Sequence, residues 1–388
     1  MKVVVASDSF KGSASARKVC DSVKTGILNV IPGAQVLSLP LADGGEGTME
    51  NFVYSSNGKI IDVTVTDPIG RTVNAAYGVM GDGETVIIEM AQASGLPLLE
   101  KNERDPMNAT SYGTGELIKH ALDAGFRKFI VGLGGSATND AGIGMLRALG
   151  VGFFDINKDK IPEGGFHLNK LAEIDESNID RRIKESSFVI ASDVTNPLCG
   201  PRGASAIYGP QKGASQEMVE ELDLSLNHLA NVVLKYKKID MRKLEGAGAA
   251  GGMGAALLAF MGAEFKSGIN VMMQEIHFEE AIKDADLVIT GEGKLDDQTL
   301  SGKVIDGVVR ITRKFNVPVI ALCGGMNIEA ENLNNLGLLS AFSIVPGPCS
   351  IDEAIENVDY WTIQRTEMII RLFSHQNVSN KDNEEAKV

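Results

Sequence analysis

Apolar positions along this chain alternate between two spacings. Short runs rich in β-branched residues, such as Val3-Val4-Val5 and Leu287 to Thr290, are followed by stretches in which apolar residues return every three or four positions. The first spacing is that of buried strands and the second that of helices with one apolar face. In the opening unit Val3-Val4-Val5 predicts a strand and Ser13 is placed to cap a helix whose inner face carries Ala16, Val19, Cys20, Val23 and Ile27. Val36 to Leu39 predicts the second strand. From Ile60 to Met90 the pattern becomes alternating Val/Thr segments around the turn Asp67-Pro68-Ile69-Gly70, which predicts antiparallel pairing and a domain boundary near residue 58.

Helical spacing returns over 113–124 and 141–149, each ended by a glycine, Gly125 and Gly150, where a left-handed residue is wanted. A strand from Lys128 to Leu133 lies between them, and Phe188 to Ser192 supplies another. Met218, Val219, Leu222, Leu226, Leu229, Ala230 and Val233 then mark one stripe of a long helix, which is core. Regular alternation resumes with Leu287 to Thr290, a helix through Val304, Ile305, Val308 and Ile311, strands at Val319 to Cys323 and Ala341 to Val345, and a last helix over 351–373. Such alternation predicts an α/β fold with a largely parallel sheet. Residues 376–388 are polar and charged and are expected to form a frayed tail.

Composition narrows the picture. A chain of 388 residues with 44% apolar and 23% charged residues has the make-up of a globular protein, and its length favours two domains. No apolar run reaches the ~20 residues that span a bilayer, so no membrane anchor is expected. The N-terminus reads directly as a strand without the features of a secretory signal, which leads to the expectation of a cytoplasmic protein. Cys20, Cys199, Cys323 and Cys349 have no metal or disulfide spacing and are expected to be buried free thiols. A net charge of −14 argues against nucleic acid or an anionic membrane as partner. An anionic ligand would have to be held locally, by backbone N–H groups, a few cations and a divalent metal.

Ligands of open α/β sheets bind beyond the carboxyl ends of the strands. Those ends read Asp8-Ser9-Phe10-Lys11-Gly12, Asp43-Gly44-Gly45-Glu46-Gly47-Thr48, Gly134-Gly135-Ser136-Ala137-Thr138-Asn139-Asp140, Asp193-Val194-Thr195-Asn196 and Gly291-Glu292-Gly293-Lys294-Leu295-Asp296-Asp297. A single aspartate there is as easily a turn former. Five acidic ends in succession need something positive among them, and Mg²⁺ at a phosphate site meets that need. Glycine turns supply N–H groups for phosphate oxygens, so the combination points to phosphoryl transfer. Neither a Walker A loop nor a GxGxxG after the first strand is present: Asp297 stands where the Walker glycine before Ser301-Gly302-Lys303 would be. Gly132-Leu133-Gly134-Gly135-Ser136-Ala137 resembles, over that short stretch, the phosphate loop of the galactokinase-like kinases.

Longer motifs carry a more specific resemblance. ASDSFKGSASA (6–16), LPLADGGEGT (39–48), RDPMNATSYGTGELIKHALDAG (104–125), VGLGGSATNDAGIGMLRALG (131–150), SDVTNPLCGPRGASAIYGPQKGAS (192–215), GAGAAGGMGAALLAF (246–260) and ITGEGKLDDQTLSGKV (289–304) together resemble the bacterial glycerate kinase family, from residue 1 to about 372. Ser7 departs from the proline usual in that family. The resemblance implies ATP-dependent phosphorylation of D-glycerate, with 2-phosphoglycerate favoured as product over 3-phosphoglycerate, in a cleft between lobes. It also implies two α/β domains: a discontinuous flavodoxin- or Rossmann-like domain, 1–58 plus 284–375, with a parallel sheet, and an inserted mixed-sheet domain, 59–283.

The expected roles follow from what phosphoryl transfer needs, which is charge neutralisation, a metal and an aligned hydroxyl. Asp193 is expected to act as base or orienter of the glycerate hydroxyl, with Lys11 and Asp8 beside it in the catalytic set. Arg202, Ser111, Thr110 and Asp43 are expected at the substrate, Arg202 because a guanidinium binds carboxylate with two parallel bonds. Gly134, Gly135, Ser136, Lys294 and Lys303 are assigned to nucleotide and phosphate, and Glu292 and Asp296 to Mg²⁺. Two other readings stay open at this stage: a two-lobed organic-acid receptor without turnover, and a kinase of another hydroxy acid or sugar.

Overall fold

The computed structural model describes residues 1–42, 47–295 and 304–385. Among these residues thirteen strands run in chain order: β1 Lys2–Ser7, β2 Gln35–Ser38, β3 Lys59–Thr66, β4 Thr72–Val79, β5 Thr85–Glu89, β6 Lys128–Gly132, β7 Gly152–Phe154, β8 Glu173–Asp175, β9 Ser187–Ala191, β10 Glu264–Lys266, β11 Leu287–Leu295, β12 Val319–Met326 and β13 Ser340–Ser343. The fold is mixed α/β, as the alternation predicts. Two compact units divide the chain, Met1–Ala42 with Met272–Val388, and Asp43–Val271. The sequence pattern placed the crossings near 58 and 284. The first comes earlier because the helix Thr48–Ser56 packs on β3, β4 and β5 rather than on the parallel sheet.

In the first unit five parallel strands lie in the order β13-β12-β11-β1-β2. Counted along the chain within this unit the order is 2-1-3-4-5, the flavodoxin-like arrangement, whose direction of winding reverses between β1 and β11. Strands buried on both faces need continuous apolar runs. Val3, Val4 and Val5 pair with Leu287, Val288 and Ile289, and all six are fully buried. Each such side chain contributes roughly 2 kcal/mol of burial. The helix Ala16–Val30 lays Val19, Cys20, Val23 and Ile27 on this sheet and packs against the helix Val358–Glu385.

Three local expectations shift. Ser15, not Ser13, caps the first helix, accepting from the Lys18 N–H, because Phe10 to Ala14 close a tight turn of their own. β11 continues through Gly291-Glu292-Gly293-Lys294 to Leu295, pairing Glu292 with Cys323 and Lys294 with Gly325, where the sequence pattern ended the strand at Thr290. The C-terminal helical region is broken at Asn357 into Ile351–Glu356 and Val358–Glu385, and its backbone helix runs on to Glu385, into the stretch expected to fray, which holds no glycine or proline to stop it.

The second unit is built on a six-stranded sheet, β10-β9-β6-β5-β4-β3, parallel from β5 to β10 and antiparallel from β3 to β5. The Val/Thr alternation between residues 60 and 90 is thus the hairpin β3–β4. Gly125 and Gly150 do take left-handed φ values of +97° and +99° behind the helices Tyr112–Asp123 and Ile143–Ala148. The long helix Gln216–Lys237 buries Val219, Leu222, Leu226, Leu229, Ala230 and Val233. All four cysteines are free; Cys20 and Cys323 are buried as expected, whereas Cys199 is half-buried and Cys349 exposed. Among the described residues no helix is long and apolar enough to cross a membrane.

Candidate active site

The reversal between β1 and β11 gathers four of the expected residues in the first unit. Asp8 follows β1 directly, and its N–H donates to the Gly291 carbonyl at 2.9 Å, which fixes it beside the Gly291-Glu292-Gly293 stretch. Its carboxylate accepts from the Ser9 N–H at 2.6 Å. Lys11, exposed, sits in the turn that Gly12 completes at φ +76°. Gly293 lies flat against this turn: a Cβ there would come within 3.3 Å of the Lys11 nitrogen and 3.4 Å of the Phe10 Cα. Glu292 is 7% exposed, while Lys294 two residues on is exposed. The strand therefore presents an acid and a lysine, two residues apart, on one face beside the β1 turn. Next to them the Thr290 hydroxyl is buried without a hydrogen-bond partner among the described residues.

In the second unit the loop after β6 is held on every side. The Leu96 N–H donates to the Gly135 carbonyl at 2.8 Å, and the Ala137 N–H to the Ser94 carbonyl at 2.9 Å. Asn139 Nδ2 donates to Ser205 Oγ at 3.0 Å. Gly134 and Gly135 stay partly open, and among the described residues none accepts from their N–H groups. Paired N–H groups in a glycine turn are what a phosphate oxygen requires.

Two buried charges support this loop. Asp140 is 1% exposed and accepts from Ser111 N (2.9 Å), Ser111 Oγ (2.7 Å), Gly142 N (3.1 Å) and Gly144 N (3.2 Å). Burial outweighs these donors and pushes its pKa up. Lys212, 1% exposed, donates from Nζ to Ser136 Oγ at 2.7 Å and to the Thr138 carbonyl at 2.6 Å. Burial brings its pKa down to about 7 against the opposing pull of Asp140.

Ser111 and Thr110, expected at the substrate, are turned to the protein instead. Ser111 is fully buried, and its hydroxyl donates to Asp140 and accepts from the Met145 N–H. The Thr110 hydroxyl donates to Glu163 at 2.7 Å, and Arg147 grips the other oxygen of that carboxylate at 2.7 Å. A close pair of hydroxyl residues at a helix start serves an internal carboxylate as readily as a ligand, and here Asp140 lies within reach.

Asp193 and Arg202 are both exposed on the segment after β9. Asn196 ties that segment together: its Nδ2 donates to the Arg202 carbonyl at 2.8 Å, its Oδ1 accepts from Tyr208 at 2.8 Å, and its carbonyl accepts from the Gly248 N–H at 2.9 Å. The arrangement anchors the backbone and leaves the Arg202 guanidinium outward. Asp43, Asp296 and Lys303 lie outside the described residues.

Sequence reasoning missed Lys212 and Glu89. Glu89 closes β5, is 4% exposed and accepts from the Met49 N–H at 2.8 Å at the start of the helix Thr48–Ser56. Burial, with the Glu50 charge adding to it, pushes its pKa up to about 7. The available signal for Glu89 was an acid directly after the apolar run Val86-Ile87-Ile88. Lys212 sits between proline and glycine in Gly209-Pro210-Gln211-Lys212-Gly213, a context that reads as a surface turn.

Comparison with known proteins places this architecture. The model of the glycerate kinase family matches residues 3–374. A glycerate 2-kinase of Escherichia coli is 48% identical over 354 residues, 91% of this chain and 93% of the relative. A glycerate kinase of Bacillus subtilis is 46% identical over 357 residues, 92% and 94% of the two chains. The crystal structure of a putative glycerate kinase 2 from Salmonella typhimurium superposes with a TM-score of 0.88 at 45% identity, covering 97% of this chain and 99% of that one. This chain belongs to the glycerate kinase family.

Proposed function

We propose that the chain transfers the γ-phosphoryl group of ATP to D-glycerate, at the 2-hydroxyl in preference to the 3-hydroxyl. The observation that carries the reading is the β1–β11 junction, where Asp8, Lys11, Glu292 and Lys294 collect at the reversal point of a parallel sheet. That is where such sheets bind ligands, and a mix of acids and lysines suits a metal-bound polyphosphate better than a bare organic acid. The names of the E. coli and B. subtilis relatives supply the acceptor and, in the first case, the position.

The residues fit Mg²⁺. Among the described residues no three His, Cys, Asp or Glu side chains form a cage, but Mg²⁺ bound to a nucleotide needs only one or two carboxylates besides phosphate oxygens. Glu292, buried two residues from Thr290, whose hydroxyl has no partner among the described residues, and Asp8 offer such hard oxygen donors. The ion would supply charge neutralisation on the phosphates.

The remaining work falls to the chain. Lys11 and Lys294 would neutralise developing charge on the transferred group. The open N–H groups of Gly134 and Gly135, with Ser136, would seat phosphate oxygens. Arg202 would take the glycerate carboxylate in a two-bond fork. Asp193 would accept or orient the proton of the attacking hydroxyl.

Phosphorus NMR of the product formed from D-glycerate and ATP tests the assignment directly. The 2-phosphoglycerate resonance is expected; 3-phosphoglycerate alone overturns the preference for the 2-position, and no product with ATP but turnover with another donor overturns the nucleotide. Asp193→Asn should lower kcat by about 10²-fold or more, the usual scale for a proton-transfer group, with the KM for ATP within threefold. Near-normal kcat removes Asp193 from the mechanism.

A further inference from the structure

The loop Gly134–Asn139 is held from within by a buried lysine. Lys212 is 1% exposed, and its Nζ donates to Ser136 Oγ at 2.7 Å and to the Thr138 carbonyl at 2.6 Å. Among the described residues no carboxylate lies within ion-pair distance of it. A buried charge with only neutral acceptors is a poor stabiliser, since an apolar side chain of similar length would fill the same space without desolvating an ion. What the ammonium supplies is direction. A serine hydroxyl has one O–H; with Lys212 donating to its oxygen, the Ser136 O–H must point away from the lysine. The same nitrogen holds Thr138 two residues on, so Lys212 fixes the bend between the two from inside, next to the Gly134-Gly135 turn that Leu96 holds through the Gly135 carbonyl.

The lysine is itself held in place. The Lys212 N–H donates to the Gly209 carbonyl at 2.9 Å, and Gly213 follows at φ +99°. A Cβ on Gly213 would come within 2.6 Å of the Arg104 carbonyl oxygen, so the turn is pressed against a neighbouring segment. On the other side of the loop, Gly251 at φ +67° lies so close to the Thr138 carbonyl that no side chain fits between them.

We propose that Lys212 is a positioning residue for phosphoryl transfer, orienting Ser136 and the Gly134-Gly135 turn toward the anionic oxygens of the nucleotide. The proposal rests on the assignment of this loop to the nucleotide, and the experiment separates the two. In the full chain, Lys212→Met, Ser136→Ala and the double variant are compared for kcat, for KM of ATP and of D-glycerate, and for thermal midpoint. Lys212→Met should lower kcat/KM for ATP by about 100-fold, the scale of an ångström-sized misplacement, with the KM for D-glycerate within threefold. Because Lys212 acts through Ser136, the double variant should be no worse than the poorer single variant, within threefold. Effects that multiply in the double variant, or kinetics of Lys212→Met within threefold of the parent for both ATP and D-glycerate, overturn the proposal. A selective rise in the KM for D-glycerate instead supports Lys212 as the positioning group and overturns the loop's assignment to the nucleotide. Should Lys212→Met not fold, Ser136→Ala carries the test alone: a tenfold or greater loss in kcat/KM for ATP at an unchanged thermal midpoint supports it, and unchanged kinetics overturn it.

Discussion

Glu89 accepts backbone N–H groups at the first turn of the helix Thr48–Ser56, yet burial, with the nearby Glu50 charge, raises its pKa from 4.5 to about 7. A carboxyl whose pKa is higher in the folded chain binds its proton more tightly there, so its contribution to stability is full below about pH 4.5 and is lost as the pH rises to about 7. Glu89→Gln removes the charge while keeping an acceptor for the Met49 N–H. Its stability advantage over the parent should be small at pH 5 and reach about 3 kcal/mol above pH 7, from ~1.4 kcal/mol per pKa unit. Urea unfolding of both chains at pH 5, 6, 7 and 8 checks this; a gap that stays constant with pH would show that Glu89 is not the titrating group. At this scale the sequence shows Asp8 after β1 and Asp193 after β9, because an acid just past an apolar run follows from residue type and position. It shows buried charges badly. Nothing in the letters around Lys212 or Asp140 distinguishes a lysine or aspartate under a loop from one on top of it, and that same ambiguity placed Thr110 and Ser111 at the substrate rather than around Glu163 and Asp140.

The helix Ala249–Met261 opens with three left-handed residues, Ala250 (φ 54°), Gly251 (φ 67°) and Gly252 (φ 92°), and it is there that the helix meets the loop after β6. The Ala141 N–H donates to the Gly251 carbonyl at 2.9 Å. Gly251→Ala therefore combines left-handed strain with a clash against the Thr138 carbonyl, a cost of about 2–4 kcal/mol. Gly262, which ends the same helix at φ +64°, has nothing within 4 Å of where its Cβ would be. Gly262→Ala should cost only the strain, about 1 kcal/mol. Denaturant midpoints compare the two; equal losses would mean that the close approach of Gly251 to Thr138 is not a determinant of stability. The period of apolar residues found most elements here, including the hairpin β3–β4 and the helix Gln216–Lys237, because burial of one face dictates it. It failed where glycine governs. The alternating glycines of Gly291-Glu292-Gly293 read as a loop, yet Gly291 lets β11 lie against the Leu322 carbonyl of β12 and continue as strand to Leu295.

At the scale of the whole chain the two cores described share no residue. One gathers Val65 to Ala263 around the mixed sheet, the other Val3 to Ile27 with Leu287 to Ile370 around the parallel sheet. The inserted unit owns all six strands of its sheet, whereas β1 of the first unit has β2 on one side and β11, almost three hundred residues away in sequence, on the other. That asymmetry predicts different behaviour when the chain is cut. A fragment of residues 43–275, ended so that the helix Gly268–Glu275 stays whole, keeps every strand of its sheet and its own core. It should unfold in one cooperative transition. A fragment of residues 1–42 keeps β1 and β2 but exposes the β11 edge of β1 and the apolar face of the helix Ala16–Val30, and two strands with one helix bury too little to fold. Circular dichroism with urea titration of each fragment distinguishes the outcomes. A broad, non-cooperative profile for residues 43–275 would mean that the inserted unit depends on the first for its stability, despite possessing a complete sheet.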